Sequence, residues 1–242
     1  MRLKYGCLIL LFVSSIGLFA DFMGTKAMST GFATEELSEE TKSKFVSNIG
    51  LSHIITEPEK RAIQCFNVNE KGMIAICQES THRDAVCIYS SQGALLYGYS
   101  FECAQSFGVE WDDENVNIYF VRSDIIMSLD ADGNILDIRE IQNTIANDRY
   151  KNVILHTTQK TIGVTTYLIR NMMGPLNLIA SSYSQVVLTN DTGTEQIIYD
   201  VNSDQLIKMI FTLNFISIFI AVGISFFVRT CITIKHGNKG RT

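Results

Sequence analysis

The stretches VCIYSSQG at residues 86–93 and VVLTNDTG at residues 186–193 decide the fold. In each, a run rich in β-branched residues leads into polar residues closed by a glycine. That is the chemistry of a tight hairpin whose last position takes a positive φ. It recurs as NEKG at residues 69–72 and as DADG at residues 130–133. Outward from these turns the chain divides into short runs of β-branched and aromatic residues. The runs are AIQCFNV, GMIAICQ, DAVCIYS and ALLYGYSF, then SFGVEW, NVNIYFV, DIIMSL and NILDIREI, then NVILHTT, TIGVTTYLI, SQVVLT and EQIIYDV. They predict twelve strands and a mainly β domain over residues 62–201.

Alignment of the turns exposes an internal repeat. Phe66-x-Val68 returns as Phe107-x-Val109 at an offset of 41, and Gly93 returns as Gly133 at an offset of 40. Gly93 and Gly193 align across the two quoted hairpins. A unit of about 40 residues and four strands is what a propeller blade needs, because each small sheet must bury both faces against its neighbours. On that pattern residues 62–201 resemble degenerate β-propeller repeats of the NHL or WD type. The Trp111-Asp112 dipeptide does not recur at the blade period and adds nothing to the resemblance. Closed propellers use at least about four blades, and only three units are visible, the third stretched by NMMGPLNLIASS at residues 171–182. The resemblance therefore implies an open or incomplete propeller-like domain of about three four-stranded units. The competing arrangements are a dimer that completes the ring and a β-sandwich.

Two apolar segments flank this domain. Residues 5–20, YGCLILLFVSSIGLFA, follow Arg2 and Lys4. As a helix they would span about 24 Å, short of the ~30 Å hydrocarbon core. Two readings stay open: a signal peptide cut after Ala27 or Ser29, or a signal anchor over residues 5–23 that borrows Phe22 and Met23. Residues 209–228, MIFTLNFISIFIAVGISFFV, carry no charge over a length that spans a bilayer. No polar stripe runs along them, so a buried core helix is the weaker reading. Asn214 and the Ala221/Ser225 small-residue pair are candidates for helix pairing.

Charge supplies an orientation. The chain of 242 residues has a formal net charge of −5, but residues 21–208 hold all 25 acids against 14 bases, a net −11, while the flanks hold only bases. Lys and Arg concentrate on the cytoplasmic side of a span. The N-tail (1–4) and the C-tail (229–242) are thus expected inside, and residues 24–208 outside. Either membrane helix flanks the β domain, the first through residues 24–61. There TEELSEETKSKFVSNI at residues 34–49 predicts a juxtamembrane helix with Thr34 as N-cap.

The candidate chemistry is thin. Cys7 and Cys231 lie near the membrane segments, and Cys65, Cys77, Cys87 and Cys103 lie in the outer domain. Buried thiols are the favoured reading of those four, disulfides the next. A metal site built on Cys77, His82 and Cys87 lacks a CxxC knuckle. Residues 128–133, SLDADG, fail as a calcium loop because Arg139 stands where a bidentate Glu is needed. The start of an Asp-box turn at residues 189–193 lacks its aromatic end and reads as a hairpin. Asp112, Asp113 and Glu114 read as a loop, and His53, His82 and His156 are isolated. Asn190-Asp-Thr192 is a glycosylation acceptor only in a eukaryotic setting. No GxSxG, HExxH, GxGxxG or phosphate loop occurs. No catalytic, cofactor or metal residue is therefore assigned. The acidic middle argues against nucleic acid. The expectation is a membrane-anchored extracytoplasmic binding or sensing module. Its partners would be the lipid bilayer and a protein met through the outer domain or the 209–228 helix. An anchored glycan hydrolase and an accessory subunit of a membrane complex are the alternatives.

Overall fold

The computed structural model describes residues 28–78, 83–103, 106–172, 174, 177 and 183–238. The 5–23 segment, His82 and most of the 171–182 insertion lie outside the described residues.

Three antiparallel sheets make up a mainly β domain. The first contains β2 (Ser52–Ile54), β3 (Ile63–Val68), β4 (Ile74–Gln78), β5 (Asp84–Tyr89) and β6 (Leu95–Phe101), in the order β2-β6-β5-β4-β3. The second contains β1 (Thr34–Glu36), β7 (Phe107–Asp112), β8 (Asn115–Phe120), β9 (Ile125–Leu129) and β10 (Ile135–Ile141), in the order β1-β10-β9-β8-β7. The third contains β11 (Gln159–Ile162), β12 (Thr165–Arg170), β13 (Gln185–Thr189) and β14 (Glu195–Asp200), in sequence order. The sheets form an open stack and do not close into a ring.

The hairpin chemistry behaves as the turn residues require. In each of the four glycine-closed turns the glycine N–H donates to the carbonyl of the first turn residue, at 3.0 or 3.1 Å. The first side chain (Asn69, Ser90, Asp130 or Asn190) accepts from the backbone N–H groups two and four positions on. A short side-chain acceptor is needed for that, which is why Asn, Ser and Asp hold the position. The closing glycines take φ from 76° to 85°.

The first sheet is the middle layer. Its one face packs on the second sheet through Val86, Ile88, Phe101, Phe107 and Phe120, and its other face packs on the third through Phe66, Tyr89, Val186 and Tyr199. Burial on both faces explains why IAICQ and DAVCIY are buried throughout rather than alternately. The outer face of the second sheet is covered by residues 28–33 and the helix α2 (Ile145–His156), which meet it around Phe32, Tyr119 and Ile154.

Several expectations need correction. NVILHTT does not form a strand: most of it is the second half of α2. Thr144 caps that helix by accepting from Asn147 N, and Asn147, Tyr150 and Ile154 recur on its covered face at helical spacing. TIGVTTYLI holds two strands, because Gly163 at φ 58° reverses the chain between β11 and β12. Thr34 is not a helix cap: it opens β1, which pairs with β10. The helix α1 (Glu39–Ile49) starts after Ser38, whose Oγ accepts from Thr41 N, and ends at Gly50 in the left-handed region. With β1 on one sheet, β2 on another and Phe45 edge-on to Phe120, this segment clamps the first two sheets together.

The chain leaves β14 directly into α3 (Asn202–Asn238), about 55 Å of helix at 1.5 Å per residue. Within it, Gln205–Arg229 has a mean hydropathy of 2.2 and none of its apolar window is buried. This helix is long and apolar enough to cross a membrane. Asn214 and Ser217 donate to the carbonyls of Ile210 and Leu213 one turn back in the same helix.

Candidate functional site

One edge strand from each sheet, β3, β7 and β11, comes together here, with β3 against the other two. β3 and β7 run side by side in the same direction: Cys65 Sγ donates to Phe107 O at 3.7 Å, Asn67 Nδ2 to Val109 O at 3.1 Å and Asn69 Nδ2 to Asp113 O at 3.5 Å. β11 flanks β3 from the third sheet, and Lys160 Nζ donates to Asn67 Oδ1 at 2.6 Å. One asparagine therefore ties all three sheets, while its Oδ1 also accepts from Val68 N.

Beyond Asn67 a cleft of about 590 Å³ opens between Asn69, Trp111, Asp113 and Lys160. That volume lies inside the range typical of small-molecule sites. The start of β3 is at the opposite end of the strand. There Ile63 bridges Tyr183, Tyr199 bonds Arg61, and Val201 N donates to Ser184 O where α3 begins. Six residues of β3, about 20 Å of strand, separate the root of α3 from the cleft.

The charges in the cleft are not equivalent. Lys71 pairs with Glu114 across the turns of the first two sheets, and both side chains are more than 60% exposed, so the pair contributes little. Asp112 is buried and accepts from Ser29 N at 2.8 Å. Glu110, buried behind it, accepts from Tyr150 Oη at 2.7 Å and from Asn117 Nδ2 at 3.3 Å. These two carboxylates hold residues 28–33 and α2 in place. Burial, reinforced by the bond to Glu110, pushes the Tyr150 hydroxyl pKa up. Lys160 is half-buried, and among the described residues no carboxylate lies within ion-pair distance of its ammonium. Burial lowers its pKa, opposed by the fields of Glu110 and Glu70. Trp111 Nε1 is buried without a hydrogen-bond partner. The cleft thus offers one ammonium with no carboxylate at ion-pair distance, the Trp111 indole and the Asn69 amide, beside the carboxylates of Glu70, Asp112, Asp113 and Glu114.

Of the residues singled out in the sequence, Asp112, Asp113 and Glu114 line the cleft, and the rest fall elsewhere. None of Cys65, Cys77, Cys87 and Cys103 forms a disulfide, and the first three are buried. Among the described residues no group of three His, Cys, Asp or Glu could hold a metal. Residues 130–133 are the β9–β10 turn, with Asp130 bound to Asn134 and to its own turn backbone. His53 packs by Tyr97 and Tyr99 and donates to Ala131 O at 2.9 Å. His156 ends α2 on the surface. The acidic run is the β7–β8 turn, as a loop should be, but Asp112 is buried in the strand before it. Lys160, Asn67 and Asn69 carried no signal in the sequence, because 93 residues separate Asn67 from Lys160. Trp111, the one tryptophan, and the acidic run that follows it were the available pointers.

The chain matches no known family model, no curated protein and no solved structure.

Proposed function

We propose that the protein is a membrane-anchored extracytoplasmic binding module, a propeller-like stack of three sheets whose ligand enters the cleft between β3, β7 and β11. The observation that carries this reading is the position of the cleft: it opens at the end of β3 remote from α3. With α3 in the bilayer and the basic 229–242 tail inside, that end faces the outer solution. Shared hairpin bonds and the parallel course of β3 and β7 support the propeller-like description, and α2 covers the face on which a further sheet would stack.

The ligand carries an acidic group for Lys160 and an apolar body for Trp111. An anion on Lys160 offsets the desolvation that now depresses its charge. The buried carboxylates Glu110 and Asp112 are engaged with Tyr150 and Ser29, an arrangement that suits binding better than glycoside hydrolysis.

Trp111 reports directly on the cleft. The full chain in detergent is titrated with benzoate and with neutral benzamide while tryptophan emission is followed. Benzoate alone should shift the emission, and Lys160→Met should abolish the shift while the remote Lys42→Met preserves it. Equal responses to both compounds, no response to either, or a response that survives Lys160→Met would refute the reading. For orientation, a thiol introduced as Asp113→Cys should react with an impermeant maleimide on intact cells, and labelling at Cys231 instead would overturn the topology.

A further inference from the structure

Cys65 and Cys77 face each other directly across the β3–β4 ladder. They are 1% and 0% exposed, both in the core between the first two sheets. Cys65 Sγ donates to Phe107 O at 3.7 Å, at the seam with the second sheet. Directly opposed residues in an antiparallel pair have Cα atoms about 4.5 to 5.5 Å apart, inside the window of about 4.4 to 6.8 Å that a disulfide requires. Cys87 does not compete. It stands opposite Ile76, on the other face of the sheet, in the core shared with Tyr89 and Tyr199. Cys103 lies past the end of β6.

We propose that Cys65 and Cys77 form a cross-strand disulfide when the chain folds in an oxidising compartment, and that the dithiol geometry described above is its reduced form. One cysteine thiolate attacks a sulfur of an external disulfide, either glutathione disulfide or the disulfide of an oxidase, and releases one thiol. The other cysteine thiolate then attacks the mixed disulfide and releases the second. Two protein thiols are oxidised, one external disulfide is reduced to two thiols, and the two protons leave on those thiols. Neither sulfur is reachable once the first sheet packs on β7, so the exchange precedes that docking. The closed loop is short, and constraint of the unfolded chain should raise the folded-to-unfolded ratio roughly 100-fold.

Whether the oxidant is met in the cell rests on the extracytoplasmic placement proposed above; the geometry does not. The full chain is released from cells into N-ethylmaleimide and digested without reductant. A Cys65–Cys77 linked peptide, with Cys87 and Cys103 alkylated, is the expected result. In parallel, the full chain is unfolded with reductant and returned to detergent in a mixture of glutathione and glutathione disulfide. The link should form there, survive in Cys87→Ser, and be lost in Cys77→Ser with the 100-fold gain. A link formed on refolding but absent from cells would sink the outer placement and leave the pairing standing. No link in either preparation, or scrambled links that include Cys87, would overturn the proposal.

Discussion

A single added atom is enough to break the contact between β7 and α2. A Cβ at Gly108 would lie 2.5 Å from Ile154 Cγ2 and 3.2 Å from Leu155 Cδ2. Carbon atoms sit best at about 3.5 to 4.0 Å, so Gly108→Ala drives a methyl roughly 1 Å too far into the helix. Ile154 is buried, and its Cγ2 is fixed to a β-branched centre that cannot swing aside. Overpacking of this kind costs about 1 to 3 kcal/mol. Loss of glycine freedom in the unfolded chain returns about 0.4 to 1 kcal/mol, which leaves a net destabilisation near 1 to 2 kcal/mol. Ile154→Leu removes Cγ2 and conserves volume, so alone it costs less than about 1.5 kcal/mol. Together the two changes should cost less than their sum by at least about 0.5 kcal/mol, because the leucine vacates the space the alanine needs. Urea unfolding of the full chain in non-ionic detergent, followed by Trp111 emission, gives both midpoints and slopes. A neutral Gly108→Ala, or strict additivity in the double variant, would show that α2 does not dock on β7 as described.

Three further outcomes follow from local geometry. Gly93→Ala should destabilise by clearly more than Gly193→Ala in the same urea assay: both glycines have positive φ, but a Cβ on Gly93 meets Ile198 O at 2.7 Å and one on Gly193 meets nothing within 4 Å. Asp130 is held below the usual carboxylate pKa; its desolvation pulls upward, but the bonds from Asn134, Asp132 and Gly133 outweigh it. A depressed carboxylate contributes stability above its unfolded pKa and loses it as pH falls, so Asp130→Asn should flatten the acid limb of the urea midpoint below about pH 4. Lys160 acts in the same sense in a different pH window: its pKa is lowered by burial, the unfolded state binds more protons just below the ordinary lysine value, and stability should rise with pH there. That rise should be absent in Lys160→Met, and a persistent slope would assign it to other groups.

The sheets were legible where each strand carried its own turn. Asn69, Ser90, Asp130 and Asn190 are short acceptors that program their hairpins locally, and all four turns form as the residues dictate. α2 was not legible as a strand or helix from NVILHTT alone. Its β-branched residues imitate a strand, and the decisive signal lies upstream, in the Thr144 cap and the spacing of Asn147, Tyr150 and Ile154. β1 and β2 are three residues each, too short for any periodicity to show. The cleft was the least legible part. It depends on Asn67 and Lys160 meeting across sheets, which only the packing of Phe66 and Tyr89 against Val186 and Tyr199 brings about.

The same packing bears on the choice between a cleaved signal and a retained anchor, although residues 5–23 lie outside the described ones. Ser29 is fixed at the cleft end of β7 by Asp112, whereas α3 starts at the far end of β3. Measured along β3, that is about 20 Å, and the apolar window begins only at Gln205, a further turn away. A segment held beside α3 up to Met23 would leave the six steps from Met23 to Ser29 to cover this height, and six residues reach at most about 22 Å. An upright domain on α3 with both segments in one bilayer would therefore need the chain from Met23 to Ser29 close to full extension, a load borne by the Ser29–Asp112 bond. A cut after Ala27 removes that load and leaves the new ammonium of Met28 next to the residue that Asp112 holds. N-terminal sequencing of the protein from membranes should begin at Met28. A sequence that begins at Met1 on a chain whose Ser29→Pro variant, which lacks the N–H that Asp112 accepts, is destabilised would show that the domain lies tilted on the membrane rather than upright on α3.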